Sequence, residues 1–174
     1  NKDKLKYVMQ LKNEQRGRIS EYEKKYPKAK FFAKDKPWKV ACDIAIPCAT
    51  ENELSQSDAK ILIKNGVTAV AEGANMPCTS EAINAFQNSK VLYAPGKASN
   101  AGGVAVSGLE MAQNSLKNTW SRKIVDGKLQ EIMTDIHSSC LEYGKEKNSI
   151  DYLKGANIAG FVKVADAMLA QGVV

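Results

Sequence analysis

Three short segments concentrate residue types that can meet a small molecule. The first is Pro47-Cys48-Ala49-Thr50-Glu51-Asn52. A proline there ends ladder pairing, and small side chains let a flat ligand approach the backbone closely. The second, Glu72-Gly73-Ala74-Asn75-Met76-Pro77, supplies amide donors and acceptors without bulk, the partners that hydroxyls and carboxamides need. Both segments also fit turns of small and capping residues with no ligand at all. The third runs from Ala94 to Gly108. Asn100 can cap the helix that follows, while Gly102 and Gly103 leave its first turn open and its N–H groups available to an anion. Two helical glycines cost about 1 kcal/mol each relative to alanine, so something needs close approach here, either a ligand or a packed helix. Ser107 lies two turns beyond Asn100 and is expected on the same face, although helical serines often only return a bond to their own backbone.

Alternating strands and helices have to position these segments. Apolar, partly β-branched runs at Trp38 to Ile46, Val67 to Ala71 and Val91 to Ala94 read as buried strands bounded by Gly, Pro or Asn. Between them, Thr50 or Asn52 can cap a helix over Glu53 to Lys64 that stops at Asn65-Gly66, and Thr79 or Ser80 can cap one over Glu81 to Gln87. Strand–helix alternation predicts a parallel sheet whose ligands bind at the carboxyl ends of the strands, where the three segments fall. The fold class is therefore α/β, with a partial Rossmann-like sheet flanked by helices and an all-helical C-terminal part over Ala101 to Asn118, Val125 to Lys145 and Ala156 to Gln171. In the last helix Ile158, Phe161, Val162, Ala165, Met168 and Leu169 predict one apolar face for core packing or docking. Ahead of the sheet, residues 3 to 25 predict an amphipathic helix closed by Pro27, with Gly17 as its weak point.

Composition excludes several classes. The net charge of +6 is concentrated in residues 1 to 40, which hold 13 Lys and Arg against 5 Asp and Glu. Those lysines interleave with Leu5, Val8, Met9, Ile19 and Tyr22 at helical spacing and lack clustered aromatics for stacking bases, so a solvated helix is expected and nucleic acid is not a partner. Cys42, Cys48, Cys78 and Cys140 form no C-x-x-C pair and the single histidine is His137, a pattern of buried or semi-buried free thiols, with no metal. His137 reads as a surface helix residue with no nucleophile partner. No run approaches the roughly 20 apolar residues of a membrane span and no secretory signal is legible, so a cytoplasmic location away from membranes is expected. The chain starts at Asn1 without Met, and a cut is expected there.

Together, D-I-A-I-P-C-A-T-E-N-E-L (Asp43 to Leu54), A-E-G-A-N-M-P (Ala71 to Pro77) and K-A-S-N-A-G-G-V-A-V-S-G-L-E-M-A-Q-N (Lys97 to Asn114) resemble glutamate dehydrogenases. The likeness is greatest to the hexameric NADP-type enzymes of bacteria and lower eukaryotes, and it is collinear from about Pro37 to the end. It implies that Pro47, Cys48, Ala49 and Thr50 match a loop beside the adenosine of the cofactor, and that Gly73, Ala74 and Asn75 match the loop at the nicotinamide ribose. Asn100 then matches a residue near nicotinamide and substrate. Gly103, Val104 and Ser107 match residues shaping the substrate pocket, the serine binding the side-chain carboxylate of glutamate. Glu51 departs from the glutamine of many relatives, and a carboxylate is unwelcome beside a phosphate.

The resemblance further implies glutamate, 2-oxoglutarate and ammonia as substrates, NADP as cofactor with NAD not excluded, and a homohexamer. Enzymes of this kind carry an N-terminal substrate domain with a catalytic lysine and aspartate, then a G-x-G-x-x-G type turn. Neither is present in this sequence, which therefore reads as the C-terminal piece, inactive alone and without catalytic residues. Residues 1–118 would form a partial NAD(P)-binding domain lacking its first βαβ unit, and residues 119–174 helices that pack toward the substrate domain. Two rivals are a dehydrogenase of an apolar amino acid in the same superfamily and a non-catalytic domain with a basic nucleic-acid-binding arm.

Overall fold

The structure, a computed structural model, describes residues 1–172, and the chain divides into two compact units, Asn1–Pro37 and Trp38–Val174. In the first, α1 (Lys2–Met9) continues as a wider π-turn over Gln10–Glu14 and then stops. The long helix expected over residues 3 to 25 is therefore broken. Arg16 adopts a left-handed φ of 51° and the Gly17 N–H closes back on Leu11 O at 2.8 Å, which satisfies a terminal carbonyl and turns the chain. A 3₁₀ turn (Ile19–Glu21) leads into α2 (Tyr22–Lys25). Here aromatics do cluster, contrary to expectation: Tyr22 and Tyr26 stack at 4.8 Å and Tyr7 meets them at 5.9 and 5.7 Å. Their faces are engaged with one another and with Lys25, whose Nζ lies 4.2 Å from the Tyr7 ring.

In the second unit, β1 (Ile44–Ala45), β2 (Ala69–Ala71) and β3 (Leu92–Ala94) form a parallel sheet in the order β1-β2-β3, with Val70 paired to Ala45 and Tyr93. The strands are shorter than the apolar runs that announced them, and Trp38 sits in a 3₁₀ turn (Pro37–Lys39) instead of a strand. Crossover helices α3 (Gln56–Lys64) and α4 (Ser80–Gln87) pack on one another. The α3 cap is neither Thr50 nor Asn52 but Ser55, which forms a capping box with Asp58. Thr79 caps α4 as expected, and Gly66 ends α3 with φ 88°. Leu54, Ala59, Leu62, Val70, Ala82 and Phe86 are almost wholly buried and form the core with Trp38 and Tyr93.

Beyond the sheet lie α5 (Gly96–Ser99), α6 (Gly102–Ser115), α7 (Arg122–Gly144) and α8 (Tyr152–Gln171). Helices α7 and α8 pack as a hairpin. The apolar residues of α8 are spread around the helix instead of forming one face, and Phe161, Val164, Met168 and Leu169 are exposed. No helix of the described residues is long and apolar enough to cross a membrane. The cysteines are free thiols, but Cys48 is exposed, unlike buried Cys78 and Cys140.

Candidate functional site

All three ligand-type segments lie beyond the carboxyl ends of the strands, and hydrogen bonds lock them into one wall. Pro47 O accepts from Gly73 N–H at 2.9 Å and from Ala74 N–H at 3.0 Å, while Asn52 N–H and Leu54 N–H donate to Met76 O and Pro77 O. A Cβ on Gly73 would meet the Cys48 sulfur, so a larger residue there would have to turn the exposed Cys48 side chain aside. The third loop joins through Asn100. It does not cap α6; that position belongs to Ala101, which caps with no side-chain bond. Asn100 instead turns its amide back, Nδ2 donating to Ala74 O at 2.9 Å and to Asn75 Oδ1 at 3.0 Å.

The wall encloses an open cleft of about 700 Å³ lined by Cys48, Ala49, Thr50, Gly73, Ala74, Asn75, Asn100, Gly103 and Val104, together with Glu51 and Met76. Nine of the eleven site residues read from the sequence thus meet around one space. Pro47 is fully buried behind it. Ser107 is exposed, does not line it, and donates to Gly103 O at 3.2 Å. The two glycines of α6 divide their work: a Cβ on Gly102 would touch Leu129 at 3.4 Å, whereas Gly103 faces open space. Gly102 thus lies against α7, and Gly103 lines the cleft.

The amide pair leaves two groups unspent. Among the described residues, Asn100 Oδ1 and Asn75 Nδ2 have no protein partner, so two residues lining the cleft keep one acceptor and one donor unspent, group types that a carboxamide or a hydroxyl can meet. Its walls are otherwise small, which suits a flat ligand.

Behind the wall sits a residue that sequence reading missed. Glu72 is only 4% exposed, its Oε2 accepting from Gly96 N–H at 2.7 Å and its Oε1 from Cys78 N–H at 3.2 Å. An acid directly after an apolar parallel strand and before a glycine was the available signal, because glutamate is rarely buried unless its oxygens are satisfied. Burial, reinforced by the neighbouring Glu72, pushes both the Cys78 thiol and the Tyr93 phenol well above their ordinary values. Tyr93 Oη is close enough to Glu72 for that influence, yet among the described residues no hydrogen bond of ordinary geometry satisfies it. His137 is exposed and meets Tyr152 Oη at 3.2 Å. A second cavity of about 400 Å³ between β2, β3 and α7 is lined mainly by apolar atoms.

The sequence pattern of the Glutamate/Leucine/Phenylalanine/Valine dehydrogenase family matches residues 3–172. The chain is similar to the NAD(P)-specific glutamate dehydrogenase of Xylanibacter ruminicola, with 56% identity over 172 residues that cover 98% of this chain and 38% of that protein. It is also similar to the NADP-specific glutamate dehydrogenase of Haemophilus influenzae, at 55% identity over 98% of this chain and 38% of that one. Among solved structures, that of Plasmodium falciparum glutamate dehydrogenase superposes with a TM-score of 0.93 at 48% identity, covering 100% of this chain and 38% of the other. The chain thus spans 38% of the length of these relatives.

Proposed function

Because the chain belongs to the Glutamate/Leucine/Phenylalanine/Valine dehydrogenase family, we propose that it forms the cofactor side of a longer enzyme that interconverts L-glutamate with 2-oxoglutarate and ammonia using NADP(H). The observation that carries this reading is the cleft, where nine resemblance-matched residues from three loops converge on an unspent acceptor and donor. Its size, small walls and amide pair fit a nicotinamide cofactor, which when bound supplies or takes up the hydride.

This chain's residues bind and orient. Cys48, Ala49 and Thr50 lie beside the adenosine and Pro47 fixes their loop from behind. Gly73, Ala74 and Asn75 receive the nicotinamide ribose, and Asn100 stands between nicotinamide and substrate. Gly103, Val104 and Ser107 shape the substrate pocket. No acid or base is assigned to this chain, and no turnover is expected from it alone. Residues 1–118 belong to the cofactor domain and residues 119–174 to helices packing toward a substrate domain, in a cytoplasmic homohexamer.

One observation favours a second reading: the Ser107 hydroxyl is returned to Gly103 O, and a serine so engaged suits an apolar amino-acid substrate as well. Steady-state assay of the longer protein with glutamate, leucine and norvaline, each with NADP and NAD, separates these. Glutamate with NADP is expected to have the highest kcat/KM. Faster turnover of an apolar amino acid would overturn the substrate assignment, and a preference for NAD the cofactor assignment.

A further inference from the structure

The ring of hydrogen bonds behind the cleft is closed by one side chain. Glu72 ends β2, and its two side-chain oxygens take the backbone N–H groups of Cys78, at the far end of the second loop, and Gly96, the first residue of α5. Its own carbonyl accepts from Ser99 Oγ at 2.6 Å. Gly96 and Asn100 bracket α5, a helix of four residues, too short to keep its place by its own hydrogen bonds. Asn100 then reaches back to Ala74 and Asn75, the residues that follow Glu72 in the chain. Every link of this circuit passes through Glu72 or hangs from an element that it holds.

We propose that Glu72 is a positioning residue: by pinning the second loop and the start of α5 to each other, it sets the Asn75 and Asn100 amides in the single arrangement that meets the ligand. The proposal rests on the reading of the cleft as the cofactor and substrate site. A glutamate that merely satisfied stray backbone groups would need no such placement. Here its two acceptors fall on the two segments that flank the amide pair, and both are spent. Burying a carboxyl group is costly unless its oxygens are satisfied, so the local structure is committed to this one geometry.

The test uses the longer protein as wild type, Glu72→Gln, Asn100→Ala and the double variant. Glutamine keeps the shape of the side chain but turns an N–H₂ toward one of two N–H donors. We expect kcat/KM for glutamate to fall roughly ten- to a hundredfold in Glu72→Gln, mostly in kcat, because misplacing the amides misaligns the reacting groups. In the Asn100→Ala background the same change should cost less than about threefold, since Asn100 is the group through which Glu72 acts. Wild-type kinetics for Glu72→Gln, or losses that multiply in the double variant, would overturn the proposal. Hydrogen exchange is read on the same proteins and is independent of turnover. Faster exchange at residues 72–78 and 95–101, with α3 and α4 unchanged, supports the clamp, and unchanged exchange refutes it. A wild-type protein inactive on glutamate would sink the functional reading, leaving the exchange result to judge Glu72.

Discussion

Helices α3 and α4 are less apolar than α6 and α8, yet they bury far more of what they have. In the first pair the apolar residues are sorted onto one side and Ala59, Leu62, Ala82 and Phe86 are sealed against the sheet. In the second pair they are spread around the helix, and Val104, Met111, Phe161 and Leu169 stay open, each more than two-thirds exposed. A helix apolar on most sides is suited to burial on most sides. The apolar faces of α3 and α4 are thus covered within this chain, whereas the open layer leaves several large apolar side chains bare. Under the functional reading above, that surface is where a substrate domain would rest.

The largest effect separates the two layers by stability. Phe86→Ala should cost about 3–5 kcal/mol in chemical unfolding of the chain, because it leaves a cavity in a closed core. Phe161→Ala should stay within about 0.5 kcal/mol. The bare side chains of α8 should draw copies of the chain together in sedimentation at micromolar concentration, and Phe161→Ala should weaken that association. Equal destabilisation by both changes would mean that α8 is packed after all.

A middle-sized effect sets stability against activity with two serines. Ser107→Val, on the open layer, should lower kcat/KM for glutamate in the longer protein by about 1.5–3 kcal/mol of transition-state stabilisation, by leaving a substrate carboxylate short of a donor. Activity toward norvaline should fall much less. Ser55→Ala, on the covered layer, should cost about 1 kcal/mol of stability through the lost cap and leave kcat/KM unchanged. Equal losses on glutamate and norvaline for Ser107→Val would reduce that serine to a helix residue.

The smallest effect lies inside the covered layer. Tyr93 buries a hydroxyl without a partner among the described residues, so Tyr93→Phe should leave stability at neutral pH within about 0.5 kcal/mol of wild type or slightly raise it. The folded-state phenol is raised above its ordinary 10.0 and the Cys78 thiol above its ordinary 9.0. The folded chain therefore holds protons that the unfolded chain gives up, and stability is intact below about pH 9 and declines as pH rises further. Unfolding curves from neutral to alkaline pH should show a shallower decline in Tyr93→Phe, with the Cys78 part remaining. An unchanged slope would remove Tyr93 from the account.

Much of the site was legible because it depends on local chemistry. Small residues, proline and amides at the ends of apolar runs place ligand-type loops beyond parallel strands wherever the chain alternates in this way, and nine of the eleven residues that the resemblance picks out in those loops line one cleft. The same reasoning found the α4 cap and the Gly66 stop, since both follow from groups a few residues apart. It failed where the partner is distant in sequence. Asn100 looked like a cap, but its amide is taken by Ala74 and Asn75, and Glu72 drew no role because Gly96, whose N–H it accepts, lies 24 residues on. Ser55 takes the place of the two expected α3 caps, and the bridge between the Leu54 and Cys78 backbones keeps the chain extended up to that serine.

By itself, the sequence determined the strand–helix alternation and the residue types at the strand ends, which follow from short-range pattern and turn chemistry, and it carried the family through the resemblance of three collinear blocks. Only the tertiary structure decided which polar groups are spent on the protein and which are left for a ligand. It also decided which apolar helices find cover within the chain. Hydrogen-bond satisfaction and burial are properties of groups brought together in space, and no local pattern fixes them.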